Sequence, residues 1–350
     1  MDKVCTFHKG YGISKENLSS EGVPCVLYGE LYTTYKTAIA KHIRSKTKLD
    51  PTTLFHSERN DVIIPCSGET AEDIATSVCI PYDDVLLGGD LTVIRSELDG
   101  AFLSNQINSV RKYDIARVAQ GKSIVHLQAD ELKKITIAYP SKEEQQKIAC
   151  FIDKLDDRIE CQNKIISKYE TLIKGLCDKV FRHNKSIRLS DLVKCRTSTL
   201  QESNIAKYRD GEYKVFGANG VIATIDKYQF KESGILVLKD GSNAGKVQFA
   251  SGKYSVIGTS VVLIPNDVND AKFLYFALLA VDFDKYKVGS GIPHIYFKDY
   301  SNEQIYYPEA TLRERIIKTL SCYETKVEIE KEMLSALQKQ KTFLLQSMFI

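Results

Sequence analysis

From Ile148 onward apolar side chains recur at alternating steps of four and three: Ile148, Ile152, Leu155, Ile159, Gln162, Ile166, Tyr169, Ile173, Leu176 and Val180. Only Gln162 among them is strongly polar. A 3.5-residue repeat held past four heptads marks a helix that buries a narrow seam against a partner helix. Pro140 and Ser141, followed by Glu143 and Glu144, make a favourable start, because acids in the first turn meet the positive end of the helix dipole. At about 1.5 Å per residue this helix is expected to run about 60 Å.

The pattern recurs at a shift of 168 residues, which places Ile137, Tyr139, Pro140, Lys147 and Ile148 on Ile305, Tyr307, Pro308, Arg315 and Ile316. The second seam reads Ile316, Leu320, Tyr323, Val327, Glu330, Leu334, Leu337, Lys341, Leu344 and Met348, and Phe181 falls on Phe349. The polar interruption repeats too, Gln162 mapping to Glu330. Upstream, Gly121 and His126 fall on Gly289 and His294. The shift is a whole number of heptads and needs no gap, so the chain is an internal duplication. Pseudo-symmetry predicts antiparallel seams with Gln162 and Glu330 near the middle. Lys341, in the place of Ile173, is expected to reach solvent or a partner surface along its stem.

The segments before each helix read as mixed α/β. In residues 1–139, Val23–Leu27, Val62–Ile64 and Leu91–Ile94 are short β-branched runs, with turns at Ser67-Gly68 and Gly88-Gly89-Asp90. Between Glu30 and Asp50 there is no acid, while Lys36, Lys41, Arg44, Lys46 and Lys48 interleave with Tyr32, Thr33, Thr34 and Tyr35. Basic residues among Tyr and Thr suit backbone contact and base-edge hydrogen bonding to DNA; the plain alternative is a solvated strand and loop. Residues 186–305 repeat the plan, with strands at Tyr213–Phe216, Ile235–Leu238 and Val261–Ile264. Two glycine-rich turns follow the first two, Gly217 to Gly220 and Asp240 to Lys246. The second turn could cradle a phosphate or approach a base, or be a plain hairpin turn. It lacks the GxxxxGK[ST] spacing of a P-loop.

Composition narrows the class. A chain of 350 residues with 43% hydrophobic and 27% charged side chains reads as an ordinary protein of two or three domains, without an apolar run of membrane-spanning length. Nine scattered cysteines without a CxxC pair read as reduced thiols and, with no signal-peptide pattern, place the chain in the cytoplasm. The net charge is +3, and neither globular segment is basic: residues 1–139 hold 16 basic and 18 acidic side chains, residues 186–305 hold 15 and 13. Tight binding of a polyanion by this chain unaided is not expected. The paired His126 and His294 lack companions at metal-ligand spacing and read as structural, so no metal site is expected. No Asn-Pro-Pro-aromatic methylation motif, dinucleotide fingerprint or nucleophile elbow is present, and no catalytic residue is expected.

The order of variable domain, long helix opening Pro-x-x-x-Glu-Gln, variable domain and long helix resembles the specificity subunit of type I restriction-modification systems. The match is carried by Leu132 to Phe181, including Pro140, Glu144, Gln145, Ile148 and Leu155-Asp156-Asp157-Arg158-Ile159, and by its echo from Ile305 to Phe349. It covers essentially the whole chain. It departs from the pattern where Leu312 and Arg313 replace Glu-Gln, and where the chain enters its first variable domain almost at once. The resemblance implies an α/β (α+β) fold: target-recognition domains at 1–139 and 186–305, separated by antiparallel coiled-coil spacer helices at 140–185 and 306–350 in a pseudo-twofold repeat. Each domain would read half of a bipartite double-stranded DNA site. Tyr32, Thr33, Thr34, Tyr35, Lys36, Ser67, Glu69, Thr70 and Lys122 are the candidates in one domain; Asn219, Lys239, Ser242, Asn243, Lys246 and Ser290 are those in the other. The helices would dock two methyltransferase subunits, and restriction subunits through them. This chain would hold no cofactor; S-adenosylmethionine, ATP and magnesium belong on those partners. The rivals are a coiled-coil adaptor whose α/β domains bind proteins, and an enzyme with catalytic residues outside known motifs.

Overall fold

The computed structural model describes residues 1–121, 125–182, 186–289 and 291–349. The chain divides into two compact units, 1–163 with 332–350 and 164–331. The divisions therefore fall within both long helices, one residue past Gln162 in the first and one past Glu330 in the second.

In unit 1 an antiparallel sheet runs in the order Cys5–Lys9, Leu91–Ser96, Asp61–Pro65, Val78–Ile80. Its strand Asp61–Pro65 is buried at all five positions, because both faces of the sheet are covered. Val62 and Ile64 face a cluster with Leu103, Ile107 and Ile115. Ile63 points the other way, into Val26, Leu31 and Leu87. That second layer belongs to a smaller sheet, Leu18–Ser19, Ser45–Thr47, Val23–Val26, Leu86–Leu87, whose last pair is parallel. Each such fully buried aliphatic side chain contributes about 1.5–3 kcal/mol. Helix α1 (Gly100–Asn108) packs on the larger sheet, capped by Asp99, whose Oδ1 accepts from the Phe102 amide at 2.9 Å.

Unit 2 has the same plan. Its antiparallel sheet is Val193–Thr197, Ser260–Pro265, Gly234–Leu238, Val247–Ala250, and the strand Gly234–Leu238 is again buried at all five positions. A three-stranded sheet, Gly220–Ile225, Tyr213–Gly217, Tyr254–Val256, again ends in a parallel pair. The helix matching α1 is Ala271–Leu279.

The long helices are Lys142–Phe181 and Ala310–Met348. In chain order Gly100–Asn108 is α1, Lys142–Phe181 is α2, Ala271–Leu279 is α3 and Ala310–Met348 is α4. In unit 1 the first half of α2 runs antiparallel to the end of α4: Ile148 and Ala149 meet Leu345, Met348 and Phe349, and Asp156 pairs with Lys341. In unit 2 Glu170 pairs with Lys331 at 2.6 Å, while Cys177 lies in the field of Glu324. All twenty seam positions are buried or half-buried. Ala149, Asp156 and Cys177, each one residue past a seam position, are buried as well. The first long helix thus carries a second buried stripe that the 3.5-residue repeat did not reveal. Part of it receives the α/β domain, as Ala149 does with Ala101 and Phe102.

Three expectations are corrected. Lys341 does not reach for solvent; it turns into the helix pair to meet the buried carboxylate of Asp156. Ser67–Gly68 is not only a turn but a short strand paired with Val125–His126. Glu30–Thr33 is a helical turn rather than strand or loop. Among the described residues no helix is long and apolar enough to cross a membrane.

Candidate nucleic-acid interface

In each unit two connections leave corresponding strands and lie close together. In unit 1 the chain leaves Val23–Val26 into the turn Glu30–Thr33, and leaves Asp61–Pro65 into Ser67–Thr70. The two meet at Tyr32. Burial pushes the Tyr32 hydroxyl up, and Tyr28, Asp73, Glu69 and Asp90 add to the shift. Thr33 Oγ1 donates to Gly29 O at 2.7 Å and lies 3.4 Å from Thr34 Oγ1, and Lys36 Nζ reaches Tyr32 O at 3.4 Å. Ser67 Oγ donates to Asp90 Oδ2. Thr70 Oγ1 donates to Asp73 Oδ2 at 2.7 Å and accepts from the Asp73 amide at 3.1 Å, an N-cap that fixes the exposed Glu69 beside it. Tyr35 leaves the surface set. It is 9% exposed and packs with Leu31, Ile63 and Val78, because the helical turn points it inward. Lys122 lies outside the described residues.

Beside this group a cleft of about 300 Å³ is lined by His8, Lys9, Thr92, Asp90 and His126. His126 was legible in the sequence only as a structural residue, and His8, Lys9, Asp90 and Thr92 gave no signal of a cleft, because the five come from three separated stretches with no local run of charge. Sheet register alone, pairing His8 with Val93 and His126 with Ser67, brings them together.

In unit 2 the turns after Tyr213–Gly217 and Gly234–Leu238 are joined by side chains. Lys246 Nζ donates to Asn219 Oδ1 at 3.1 Å, and Gln248 Nε2 donates to Gly217 O at 2.9 Å. Ser242 and Asn243 stand exposed between Gly241 (φ +98°) and Gly245 (φ +93°). At Gly245 a Cβ would come 2.5 Å from Phe283 Cβ, so glycine alone fits this close approach. Lys239 Nζ is 3.9 Å from Asp240 Oδ2, and Asp240 Oδ1 is 2.8 Å from His294 Nδ1. His294, read from the sequence as structural, thus belongs to the turn. Its carboxylate neighbour sets the ring's orientation and leaves Nε2 as the outer nitrogen. The turn is also backed by the following chain, with Gly241 N donating to Pro293 O at 3.0 Å and Ile295 N to Lys239 O at 2.9 Å. Next to Pro293, Ile292 is 64% exposed. Ser290 lies outside the described residues. Behind Lys246 a cleft of about 670 Å³ is lined by Tyr275, Phe283, Glu324, Val327 and Lys331.

Chemically, the turns of unit 1 present hydroxyls and carboxylates beside Lys36, with His8, Lys9 and His126 in the neighbouring cleft; the hydroxyls and carboxylates accept from exocyclic amines or donate to base acceptors. Unit 2 presents lysines, amides and a histidine, which suit phosphates, guanine edges and adenine edges. Among the described residues no group of three or more His, Cys, Asp or Glu side chains is placed to hold a metal ion.

Comparison with known proteins agrees with this architecture. Over 122 residues the chain is 30% identical to the MjaVIII type I restriction enzyme specificity subunit of Methanocaldococcus jannaschii, a match covering 34% of this chain and 28% of that relative. The crystal structure of a type I restriction-modification S subunit from M. genitalium superposes with a TM-score of 0.66 at 18% identity, covering 100% of this chain and 94% of that one. A second structure, described for complex assembly and conformational transition of the type I R-M system, gives a TM-score of 0.57 at 16% identity over 99% and 95% of the two chains. These likenesses establish the fold. Two successive matches to the family model, over residues 2–171 and 182–339, span nearly all of the sequence, and the protein is a member of the type I restriction modification DNA specificity domain family.

Proposed function

We propose that this chain is the non-catalytic, sequence-reading subunit of a type I restriction-modification complex. Each α/β domain reads one half of a bipartite double-stranded DNA site. The long helices set the gap between half-sites and dock two methyltransferase subunits, which carry S-adenosylmethionine and recruit ATP- and magnesium-dependent restriction subunits. The observation that carries the reading is the repeated pair of turns, placed by the same strands in both units and furnished with different side chains. One framework offering two chemistries suits two half-sites of different sequence. Helix docking is supported by apolar residues standing exposed on α2 and α4: Phe151 and Phe343 in unit 1, Leu172 and Ile329 in unit 2. Because neither domain is basic, the partners would supply much of the phosphate contact, and the chain alone is expected to bind DNA weakly and to transfer no methyl group.

Methylome sequencing of a strain with and without this gene tests the reading. A bipartite motif methylated on adenine should vanish with the gene. An unchanged methylome, with the chain captured instead by an unrelated protein assembly, would favour the adaptor. The spacer role has its own test. Four residues inserted at Lys174-Gly175 add about 6 Å and rotate the helix about 40° beyond a full turn. One base pair of B-DNA rotates about 34–36°, so the gap should grow by one base pair with both half-sites kept. The stutter this creates in the seam is absorbed by local unwinding.

A further inference from the structure

Each long helix is joined to its α/β domain by a latch in the same place, built from different chemistry. In unit 1 the latch is Gln145, 2% exposed. Its Nε2 donates to Pro140 O at 2.9 Å, and its Oε1 accepts from the Asp99 amide at 2.9 Å. Asp99 is the N-cap of α1, so one side chain ties the first turn of α2 to the start of the helix packed on the recognition sheet.

The corresponding residue 168 positions later is Arg313, in the place that Gln145 holds in the first copy. Arg313 Nη1 donates to Pro308 O at 2.7 Å, repeating the bond from Gln145 to Pro140. Its Nε donates to Asp270 Oδ1 at 2.7 Å. Asp270 stands three residues before Phe273 at the start of α3, as Asp99 stands three before Phe102. Unlike Asp99, its carboxylate makes no helix-capping bond. It accepts from Arg313 and from the Tyr307 hydroxyl, and the guanidinium lies 4.2 Å from the centre of the Tyr307 ring. The departure from Glu-Gln is therefore a replacement latch, in which a charged fork on a buried carboxylate does the work of a neutral amide on a backbone N–H.

We propose that Gln145 and Arg313 are positioning residues that set the angle at which each domain is presented to DNA, each governing how strictly the gap to its own half-site is kept. The inference rests on the half-site reading given above. A domain turned about the latch by the rotation of one base pair meets the groove in the wrong register, so a slack latch relaxes the required gap. Other contacts keep each domain attached: Lys41 with Asp153 at 2.7 Å and Phe102 with Phe349 at 5.1 Å in unit 1, Lys272 with Glu324 at 2.6 Å and Phe181 with Phe273 at 5.3 Å in unit 2. Losing the latch therefore loosens orientation without releasing the domain.

The test uses the complete complex with its methyltransferase subunits, on duplexes carrying the cognate gap and gaps one base pair shorter and longer. Arg313→Ala should lower the ratio of cognate to off-gap methylation about tenfold, the equivalent of about 1.4 kcal/mol of lost discrimination. Both half-site sequences should stay as they were. Arg313→Lys keeps the charge beside Asp270 but not the fork, so it folds; it should lose part of the ratio. The neutral pair Arg313→Gln with Asp270→Asn copies the first latch and should restore most of it. An unchanged ratio in Arg313→Lys would overturn the proposal, as would equal loss in the neutral pair. A wild-type complex that methylates no bipartite motif would instead refute the half-site reading and leave the latch geometry standing.

Discussion

The turn after Asp61–Pro65 and the turn after Gly234–Leu238 occupy the same place in two copies of one plan. In the first, Ser67 is held by Asp90 and Thr70 caps its own helical turn, so hydroxyls and carboxylates face outward. In the second, Lys246 rests on Asn219 and Asp240 orients His294. The strands that deliver them are alike in the one respect packing requires, burial at every position. Buried positions demand volume and shape; the turns they deliver are free to differ. The docking of the domains teaches the same lesson with charge. Asp156 and Glu324 are matching helix positions, yet Asp156 is neutralised by Lys341 within the helix pair, and Glu324 by Lys272 on α3. The backbone plan is shared while the charges on it are rewired.

Cutting the shared framework should have the largest effect. Ile63→Ala and Leu236→Ala remove side chains buried in equivalent central strands, and each should cost its unit about 2–5 kcal/mol. Hydrogen exchange should show protection lost across that unit while the other keeps its own.

Rewired charge gives the next effect. Burial raises the Asp156 carboxyl, and Lys341 pulls it back down. Lys341→Ile, which copies Ile173, should strand that carboxylate and cost about 3 kcal/mol at neutral pH. Without the lysine the folded-state pKa rises further above its unfolded value. The penalty is therefore full above the raised pKa, shrinks as pH falls below it, and is gone below the unfolded value, where the carboxyl is protonated in both states. Melting of the variant against the parent from pH 7 down to pH 4 should show the two curves converging. A constant offset would mean that the loss is one of packing alone.

The smallest effect concerns the turns. Lys246→Ala should weaken DNA binding of the complex by about tenfold or less, similarly across sequences, with a salt slope lower by about one. Asn219→Ala should instead relax one base position. If Lys246→Ala changed the preferred sequence and not the slope, the lysine would be a base reader.

The sequence showed the helices and the central strands because their physical signals are long or dense. A seam sustained over ten positions cannot be mistaken for a strand, and Val62–Ile64 or Ile235–Leu238 are too apolar to lie outside. Ser67–Gly68 was opaque because a two-residue strand has no period, and its partner, Val125–His126, is far away in sequence. Tyr35 sat in a run of lysines and tyrosines that reads as surface, and only the helical turn Glu30–Thr33 reveals that it faces the core. Lys341 was legible as a polar seam residue, but its partner Asp156 lies one position off the seam. Arg313 looked like a departure because its role depends on Asp270, which no spacing rule connects to it.

Independent reading of the half-sites can be checked by replacing residues 186–304 with the corresponding domain of another family member and sequencing the methylome of the exchanged strain. One half of the bipartite motif should change while the other half and the gap stay as they were. A motif altered in both halves, or one retained unchanged with methylation intact, would contradict it.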